Sequence, residues 1–438
     1  MQQARPLEDR CRRLCAAEFP PAGGFTPLAH DARLAPPVAY SRYAPLNTKR
    51  ISGSGGSNSG QPRTHTVHFT ARLAVFKSTT FKKYLLPGFV FQSVVIAGGY
   101  GTGRELVEFF LGYGPLGGLM AMVLVSTVIW SAVCASSFEF ARLYRSYDYR
   151  TFFTHLLGPG WLLFEVCYFL LLLLILAVIA AAAGTVLQET FDLPYASGVL
   201  AMMAAVGYLV FRGSATIERV LAGWSFVLYS VYVLLFVWSL ARFGGATLTG
   251  LTAGQVTSGW MVGGVRYAAY NLAIIPAVLF AVRHAQARKE AVTAGLLTGP
   301  IAILPGLMFY LVMCGQYPEI LGRAVPANFI LELLGSRTFQ IVFQIVLFGT
   351  LIETGTGLVH AVNERVAGAF AEKNRPMPTF LRPLTALILL VLGTLLSGFG
   401  LIELIAKGYG TLTWFFLAIF VIPMLTYGIW KISYGKGD

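Results

Sequence analysis

One apolar segment, from about residue 86 to residue 111, contains four glycines within six positions, followed by three charged residues. The glycines occupy positions 98, 99, 101 and 103, and the charged residues are Arg104, Glu105 and Glu108. Glycine destabilises a helix interior by about 1 kcal/mol per residue, so a membrane-spanning helix is predicted to break here. Broken backbone inside a bilayer is tolerated only where protein or a water-filled cavity satisfies its N–H and C=O groups. Because charges at that depth are costly and usually functional, the segment predicts a binding site within the membrane.

The composition is that of a membrane protein. The mean hydropathy is +0.66, with 56% hydrophobic and only 12% charged residues, whereas a soluble domain carries about 25% charged residues. The net charge of +13 arises from Lys and Arg in short loops and in the N-terminal arm, which indicates contact with lipid headgroups rather than nucleic acid. The five cysteines show no pairing pattern, so we predict neither a disulfide framework nor a metal site.

Residues 1–80 differ from the rest of the chain. They are rich in Pro, Gly, Ser and Arg, include the low-complexity stretch 51–60, and are predicted to form a disordered basic cytoplasmic arm. No apolar stretch follows the basic residues, so a signal peptide is not predicted. The arm has a second interpretation as a mis-assigned start, with the true start near Val75, because no Met lies between Met1 and Met120.

Residues 81–438 are predicted to form a transmembrane domain with about ten helices, by the usual length of about 20 residues per span. We number as spans 1 to 10 the segments 86–111, 116–141, 160–187, 194–211, 217–241, 261–282, 292–314, 337–368, 382–398 and 404–430. Lys and Arg concentrate after the even-numbered spans, and the intervening loops carry few. The positive-inside rule therefore predicts that both termini are cytoplasmic. We expect a multi-pass protein of the inner (plasma) membrane.

Ten spans divide into five and five, and the odd number per half predicts an inverted repeat. Repeat one would cover 86–241 and repeat two 261–430, so span 6 corresponds to span 1. Span 6 contains its own interruption, because Pro276 lacks an N–H and frees the carbonyl of Leu272, while Asn271 adds an amide. Interrupted segments at matching positions of two halves are the best sequence indicator of a transport site.

The residues that form these breaks resemble a known family. The run Ala97-Gly-Gly-Tyr-Gly-Thr-Gly-Arg-Glu-Leu-Val-Glu-Phe-Phe110 resembles the first-helix signature of the YkvI-type uncharacterised bacterial membrane proteins. Tyr270-Asn271-Leu272 and Glu403-x-x-Ala406-Lys-Gly-Tyr409 also resemble that family, and the resemblance extends from about Lys82 to the C-terminus. It implies the LeuT-type five-plus-five fold of the amino acid–polyamine–organocation superfamily. The chain departs from the pattern in having Arg104 where relatives tend to have Gln.

We predict that a solute binds where spans 1 and 6 break. The half-helix that begins near Gly101 would direct its positive end toward an anionic group, and Tyr100 would supply a wall and a hydroxyl. Arg104 has two open interpretations: it pairs with Glu108 four residues away, or it contacts the solute. The candidate solute-binding residues are Gly98, Gly99, Tyr100, Gly101, Thr102, Gly103, Arg104, Glu105, Tyr270 and Asn271.

Span 8 carries a second concentration of polar residues. Glu353, Thr356 and His360 are three and four positions apart, so one helix face is expected to carry them. Oxygen ligands suit a hard cation such as Na⁺, and the resemblance implies that span 8 approaches the break of span 1. Glu353 also fits a proton carrier, because an unpaired charge at this depth is unfavourable. The candidate ion-binding residues are Ala97, Glu105, Glu353, Thr354 and Thr356.

The sequence therefore predicts a secondary active transporter of a small amino-acid-like or amine solute, driven by Na⁺ or H⁺ and working by alternating access. The alternative is a solute receptor on the same fold that does not transport. Close helix packing would explain the glycines but not the charges, a potassium filter needs pore helices that are missing from the pattern, and a dinucleotide loop needs a preceding strand. We predict no enzymatic activity and no cofactor. The expected partners are the lipid bilayer and a small molecule, not nucleic acid, and the sequence leaves the oligomeric state open.

Overall fold

A computed structural model describes residues 79–96, 98–212, 214–253, 256–372 and 375–434. Regular structure in these residues is entirely helical, which confirms the prediction of an all-α polytopic membrane protein. The arm before residue 79, including the proposed start near Val75, lies outside the described residues. Its predicted disorder therefore stays a prediction.

Six helices among the described residues are long and apolar enough to cross a bilayer. They correspond to predicted spans 2, 3, 5, 7, 8 and 10, and run over Pro115–Leu143, Tyr149–Phe191, Val227–Thr252, Arg288–Cys314, Arg337–Phe370 and Leu401–Tyr434. The second of these contains a short helix, Tyr149–Leu157, that precedes span 3 proper, which is Trp161–Phe191. Spans 4 and 9 are shorter apolar helices, Tyr195–Arg212 and Leu381–Ser397.

The remaining two predicted spans are the ones that the structure interrupts. Span 1 consists of Leu86–Val95 (half-helix 1a), a single helical turn at Gly98–Thr102, and Arg104–Phe109 (half-helix 1b). Span 6 consists of Trp260–Leu272, a 3₁₀ turn at Ile275–Ala277, and Leu279–Val282. The prediction of broken first and sixth helices is confirmed.

Two prolines in span 7 explain how this helix holds its neighbours. A proline at position i leaves the carbonyl at i−4 without its helical donor, so Pro300 frees Leu296 and Pro305 frees Ile301. Ser131 Oγ of span 2 donates to the Leu296 carbonyl at 2.9 Å, and Gln92 Nε2 of half-helix 1a donates to the Ile301 carbonyl at 2.5 Å. The prolines of span 7 thus leave acceptors free, and one of them fixes the position of half-helix 1a.

Two further features suit a helical membrane domain. Helices approach each other closely, and apolar side chains are exposed on the outside. A Cβ atom added at Gly295 of span 7 would overlap the backbone of Ala135 in span 2, so only glycine permits this separation. Large apolar side chains such as Leu200, Leu395 and Phe211 are at least 60% exposed. Surfaces of this kind suit acyl chains rather than water.

Candidate functional site

The backbone of span 1 is interrupted twice around the glycine cluster. Ile96 ends half-helix 1a with φ −74° and ψ 79°, outside the helical region. Gly103 then adopts φ +83°, a left-handed conformation that suits glycine, and a Cβ atom there would lie 2.7 Å from Phe309 Cε1. Thr102 Oγ1 stabilises the turn between them by donating to the Gly99 carbonyl at 2.9 Å. Ala97, a predicted ion ligand, lies outside the described residues.

Glu105 is the most deeply buried carboxylate of this break, with only 2% of its surface exposed. Its Oε2 accepts a hydrogen bond from the Tyr270 hydroxyl of span 6. Its carboxyl group lies against Gly99, because a Cβ atom added there would fall 2.7 Å from Glu105 Cδ. Among the described residues, no Lys, Arg or His forms an ion pair with Glu105. The structure therefore brings together three predicted site residues, Gly99, Glu105 and Tyr270.

Aromatic rings surround the Glu105–Tyr270 pair. The Tyr270 ring stacks on Tyr409 of span 10 with centroids 4.7 Å apart and an interplanar angle of 12°. Tyr267 and Phe109 pack edge-on or tilted against Tyr270 at 5.7 Å and 5.5 Å. The enclosure limits water access to the carboxylate. In such surroundings charge is poorly solvated, so the carboxylate needs a proton or a cation.

Asn271, the other predicted residue of span 6, lies beside this pair. Its Nδ2 donates to the Tyr267 carbonyl at 3.0 Å, and its side chain is 4% exposed. Glu105, Tyr270, Asn271 and Tyr409 line a small cavity of about 20 Å³. That volume holds about one water molecule or one ion.

A larger cavity of about 390 Å³ adjoins the small one and contains Glu353. The two cavities share the lining residues Val94, Leu171, Ile175 and Ile274. The large cavity extends along span 8 from Thr350 to Ala361, toward the basic loops that the charge pattern assigns to the cytoplasmic side. Its volume is typical of a small-molecule site.

The polar residues that the sequence places on one face of span 8 lie in different surroundings. Glu353 and Thr354 line the large cavity, and Thr354 Oγ1 also donates to the Thr350 carbonyl at 3.0 Å. Thr356 is fully buried, with no hydrogen-bond partner among the described residues, and does not line that cavity. His360 lines a different cavity together with Asn363 and Arg382. The spacings of three and four keep Glu353, Thr356 and His360 on roughly one face of the continuous helix Arg337–Glu372, but at successive turns of that helix they do not line one common cavity.

Arg104 lies on the other side of the break, away from both cavities. Its Nη1 donates to the carbonyls of Leu321 and Arg323 at 2.8 Å and 3.1 Å, and its Nη2 pairs with Glu108 at 3.2 Å. The guanidinium therefore connects half-helix 1b to the loop between spans 7 and 8. Of the two interpretations of Arg104, the structure favours the one in which it pairs with Glu108.

The remaining predicted residues lie on the wall of the break. Tyr100 is 1% exposed and packs against Gly306 of span 7, where a Cβ atom would lie 2.8 Å from its hydroxyl. The Gly101 carbonyl, left without a helical donor by the break, accepts a hydrogen bond from Tyr232 of span 5 at 2.6 Å. This contact shows how protein groups satisfy broken backbone at membrane depth.

Three tyrosines of the site were missed by sequence reasoning. Tyr409 stacks on Tyr270, Tyr232 caps Gly101, and Tyr229 donates to Gln92 Oε1 at 3.0 Å while lining the large cavity. A signal existed in each case: Tyr409 lies in a Gly-Tyr-Gly triplet like that of span 1, and Tyr229 and Tyr232 recur three residues apart in an apolar helix.

Comparison with known proteins supports the fold. No family model matches the chain. The uncharacterised membrane protein YkvI of Bacillus subtilis is 22% identical over 296 residues, which cover 66% of this chain and 82% of that protein.

Two solved transporters have a similar structure. MhsT in complex with L-phenylalanine matches with a TM-score of 0.51 and 16% identity, covering 80% of this chain and 98% of that one. The manganese transporter of Eremococcus coleocola matches with a TM-score of 0.51 and 14% identity, covering 86% and 87%. Both likenesses concern the fold alone. The chain is therefore a multi-pass membrane protein with a LeuT-type fold, and its resemblance to the YkvI-type membrane proteins is confirmed.

Proposed function

We propose that this protein is a secondary active transporter of a small amine or amino-acid-like solute, with Na⁺ or H⁺ as the driving ion. The observation that carries the proposal is the Glu105 carboxylate, which is buried at the break of span 1 and bonded to Tyr270 at the break of span 6. MhsT and the manganese transporter, the two solved proteins compared above, are both transporters, which supports the class.

Glu105 has the properties of a coupling group. A buried carboxylate without a basic partner is stable only when a proton or a cation neutralises it. The adjacent cavity of about 20 Å³ accommodates one such ion. Because Glu105 contacts both breaks, its neutralisation would change how half-helix 1b and span 6 pack together.

The large cavity is the proposed solute site. It adjoins the small cavity, extends toward the basic loops, and contains the second carboxylate, Glu353. On the opposite side of the break the chain is closed, since Arg104 bonds to the 321–323 backbone and residues 99–107 are all buried. A solute site that lies on one side of the break, with the other side closed, fits one of the states that alternating access requires.

A solute receptor on the same fold remains the second candidate. It would use the same cavities and would also be stabilised by its ligand. Only a transporter moves the ligand across a bilayer and concentrates it at the expense of an ion gradient. The two candidates therefore differ in flux and not in binding.

Purified protein in proteoliposomes distinguishes them. A panel of labelled amines and amino acids is offered under an inward Na⁺ gradient and, separately, under an inward pH gradient. We expect concentrative uptake of at least one compound under one gradient, abolished by an ionophore for that ion. Ligand-dependent thermal stabilisation without uptake under either gradient would support the receptor and contradict the transporter.

A further inference from the structure

The charged group in the lining of the large cavity is an acid, Glu353. No Lys, Arg or His belongs to the part of this lining that the structure describes. Among the described residues, Glu353 has no ion-pair partner. Arg365 contacts one lining residue of the cavity, since it lies over the Tyr168 ring at 4.2 Å, and it pairs with Glu165 at 3.4 Å. Arg365 is thus already engaged, and Glu353 is the group available to a ligand.

The place that would suit a solute carboxylate is already occupied by the protein. Free N–H groups at a helix start attract anions, and the turn at Gly98–Thr102 begins such a start. The Glu105 carboxyl group lies directly against Gly99 in this turn. A solute carboxylate at the same position would overlap the Glu105 carboxyl group, and it would also meet a like charge whenever Glu105 is ionised.

The rest of the lining suits an apolar body with a cationic end. Val94, Ile96, Leu172 and Ile274 form apolar walls, and the hydroxyls of Ser93 and Thr350 are part of the lining. The Tyr229 ring shares the cavity with Glu353. A carboxylate beside an aromatic face binds an ammonium group through charge and cation–π attraction together.

From these observations we propose that the solute is an amine cation without a carboxylate, whose ammonium group binds Glu353 beside the Tyr229 ring. The inference rests on the proposed transport function and narrows its solute class to amines over amino acids. Glu105 then serves the driving ion and Glu353 the solute. The two carboxylates have separate roles because they lie in separate cavities.

Three compounds with the same ring test the inference. Phenethylamine carries only the amine, phenylalanine carries amine and carboxylate, and 3-phenylpropionate carries only the carboxylate. Binding is measured by thermal stabilisation of the detergent-solubilised full chain, and uptake is measured in proteoliposomes. We expect phenethylamine to bind and to be taken up, with each of the other two at least about tenfold weaker, a difference of about 1.4 kcal/mol.

Variants at Glu353 identify the group responsible. Glu353→Gln removes the charge and is expected to weaken phenethylamine binding by at least about tenfold, while Glu353→Asp keeps the charge and retains most of the affinity. Glu403→Gln is the matched control, because Glu403 is exposed and pairs with Lys407 at 2.6 Å. Gel filtration and the melting temperature without ligand report whether each variant is folded.

The possible outcomes distinguish a failure of the amine assignment from a failure of the proposed transport function. Gradient-driven uptake of phenylalanine in preference to phenethylamine would overturn the amine assignment and leave the transporter standing. Glu353-dependent binding of phenethylamine without any uptake would support the amine assignment and contradict transport. Unchanged phenethylamine affinity in a folded Glu353→Gln protein would overturn the role of Glu353.

Discussion

The Tyr270 hydroxyl of span 6 donates a hydrogen bond to the Glu105 carboxylate of span 1, so one contact joins the two interrupted spans. Both residues are at most 5% exposed, and Tyr270 is held in place by stacking on Tyr409. A change of charge at Glu105 must therefore alter a contact between the two interrupted helices. In the proposed transport mechanism, this contact links ion binding to the rearrangement that transport requires.

Removing the Tyr270 hydroxyl should weaken this link. Tyr270→Phe keeps the ring and its stacking but leaves the buried carboxylate without its donor, and a hydrogen bond to a charged group contributes about 1.5–3 kcal/mol. We expect a lower melting temperature and a reduced dependence of uptake on the driving ion, measured as the ratio of uptake with and without the gradient. Tyr427→Phe is the control, because Tyr427 is 45% exposed and its ring contacts Trp430 and Lys431, away from the break. Equal effects of the two substitutions would contradict a special role for Tyr270.

The left-handed conformation of Gly103 predicts a stability effect. Gly103→Ala introduces a Cβ atom at φ +83° and 2.7 Å from Phe309 Cε1, so strain of about 1–2 kcal/mol adds to the clash. We expect a clear fall in melting temperature. Gly244→Ala is the control, since a Cβ atom there meets nothing within 4 Å and alanine is the better helix former. A Gly103→Ala protein as stable as Gly244→Ala would show that the left-handed turn is not needed.

Gly99 tests the position of the Glu105 carboxyl group. A Cβ atom at Gly99 would overlap this group, so Gly99→Ala should displace the carboxylate from the break. We expect ion-driven uptake to fall by at least about tenfold, equivalent to about 1.4 kcal/mol, with the protein still folded by gel filtration. Uptake equal to wild type would mean that the carboxylate acts from another position.

The contacts of Arg104 predict that its substitution changes the conformation on the side of the break away from the two cavities. Arg104→Gln removes the contacts to the Leu321 and Arg323 carbonyls, which hold half-helix 1b against the neighbouring loop. The population should shift toward a state that is open on that side and closed at the large cavity. A cysteine at Ser93, which lines this cavity, reports the change as slower modification by a polar thiol reagent.

The labelling experiment needs a defined background. Cys134, Cys167 and Cys314 are buried, and Cys11 and Cys15 are replaced by Ser. Arg323→Gln is the matched control, because its side chain pairs with Glu319 at an exposed position and only its carbonyl contacts Arg104. We expect slower modification of Ser93→Cys with Arg104→Gln and an unchanged rate with Arg323→Gln. Faster modification with Arg104→Gln would contradict the assignment of Arg104 to closure.

The broken helices were predictable from the sequence because their causes are local. Glycines at 98, 99, 101 and 103 and the proline at 276 act on their own turns, whatever surrounds them. The burial of Glu105 was also predictable, because this residue lies within an apolar segment. The matching of the break in span 6 to that in span 1 used the arrangement of loop charges and the five-plus-five division, and that division stays a prediction.

The partners of these residues could not be predicted, because they depend on packing between distant spans. Nothing in span 1 reveals that Arg104 reaches the backbone at 321–323, or that Glu105 turns back against Gly99. Spacing on span 8 suggested one face for Glu353, Thr356 and His360, yet neighbouring helices place them in different surroundings. The spacing of residues along a helix defines only the approximate direction of their side chains. Packing against neighbouring helices decides which of these residues line the same cavity.

The central claim is that Glu105 couples an ion to solute movement, and a comparison of two kinds of flux tests it most directly. Glu105→Gln is neutral, so it should mimic the ion-loaded carboxylate and keep a hydrogen bond with Tyr270. In proteoliposomes of this variant we expect exchange of labelled for unlabelled solute to persist, while an imposed Na⁺ or pH gradient no longer drives accumulation. Wild type and Glu403→Gln should show both activities. Gradient-driven accumulation by Glu105→Gln at the wild-type level would contradict the account.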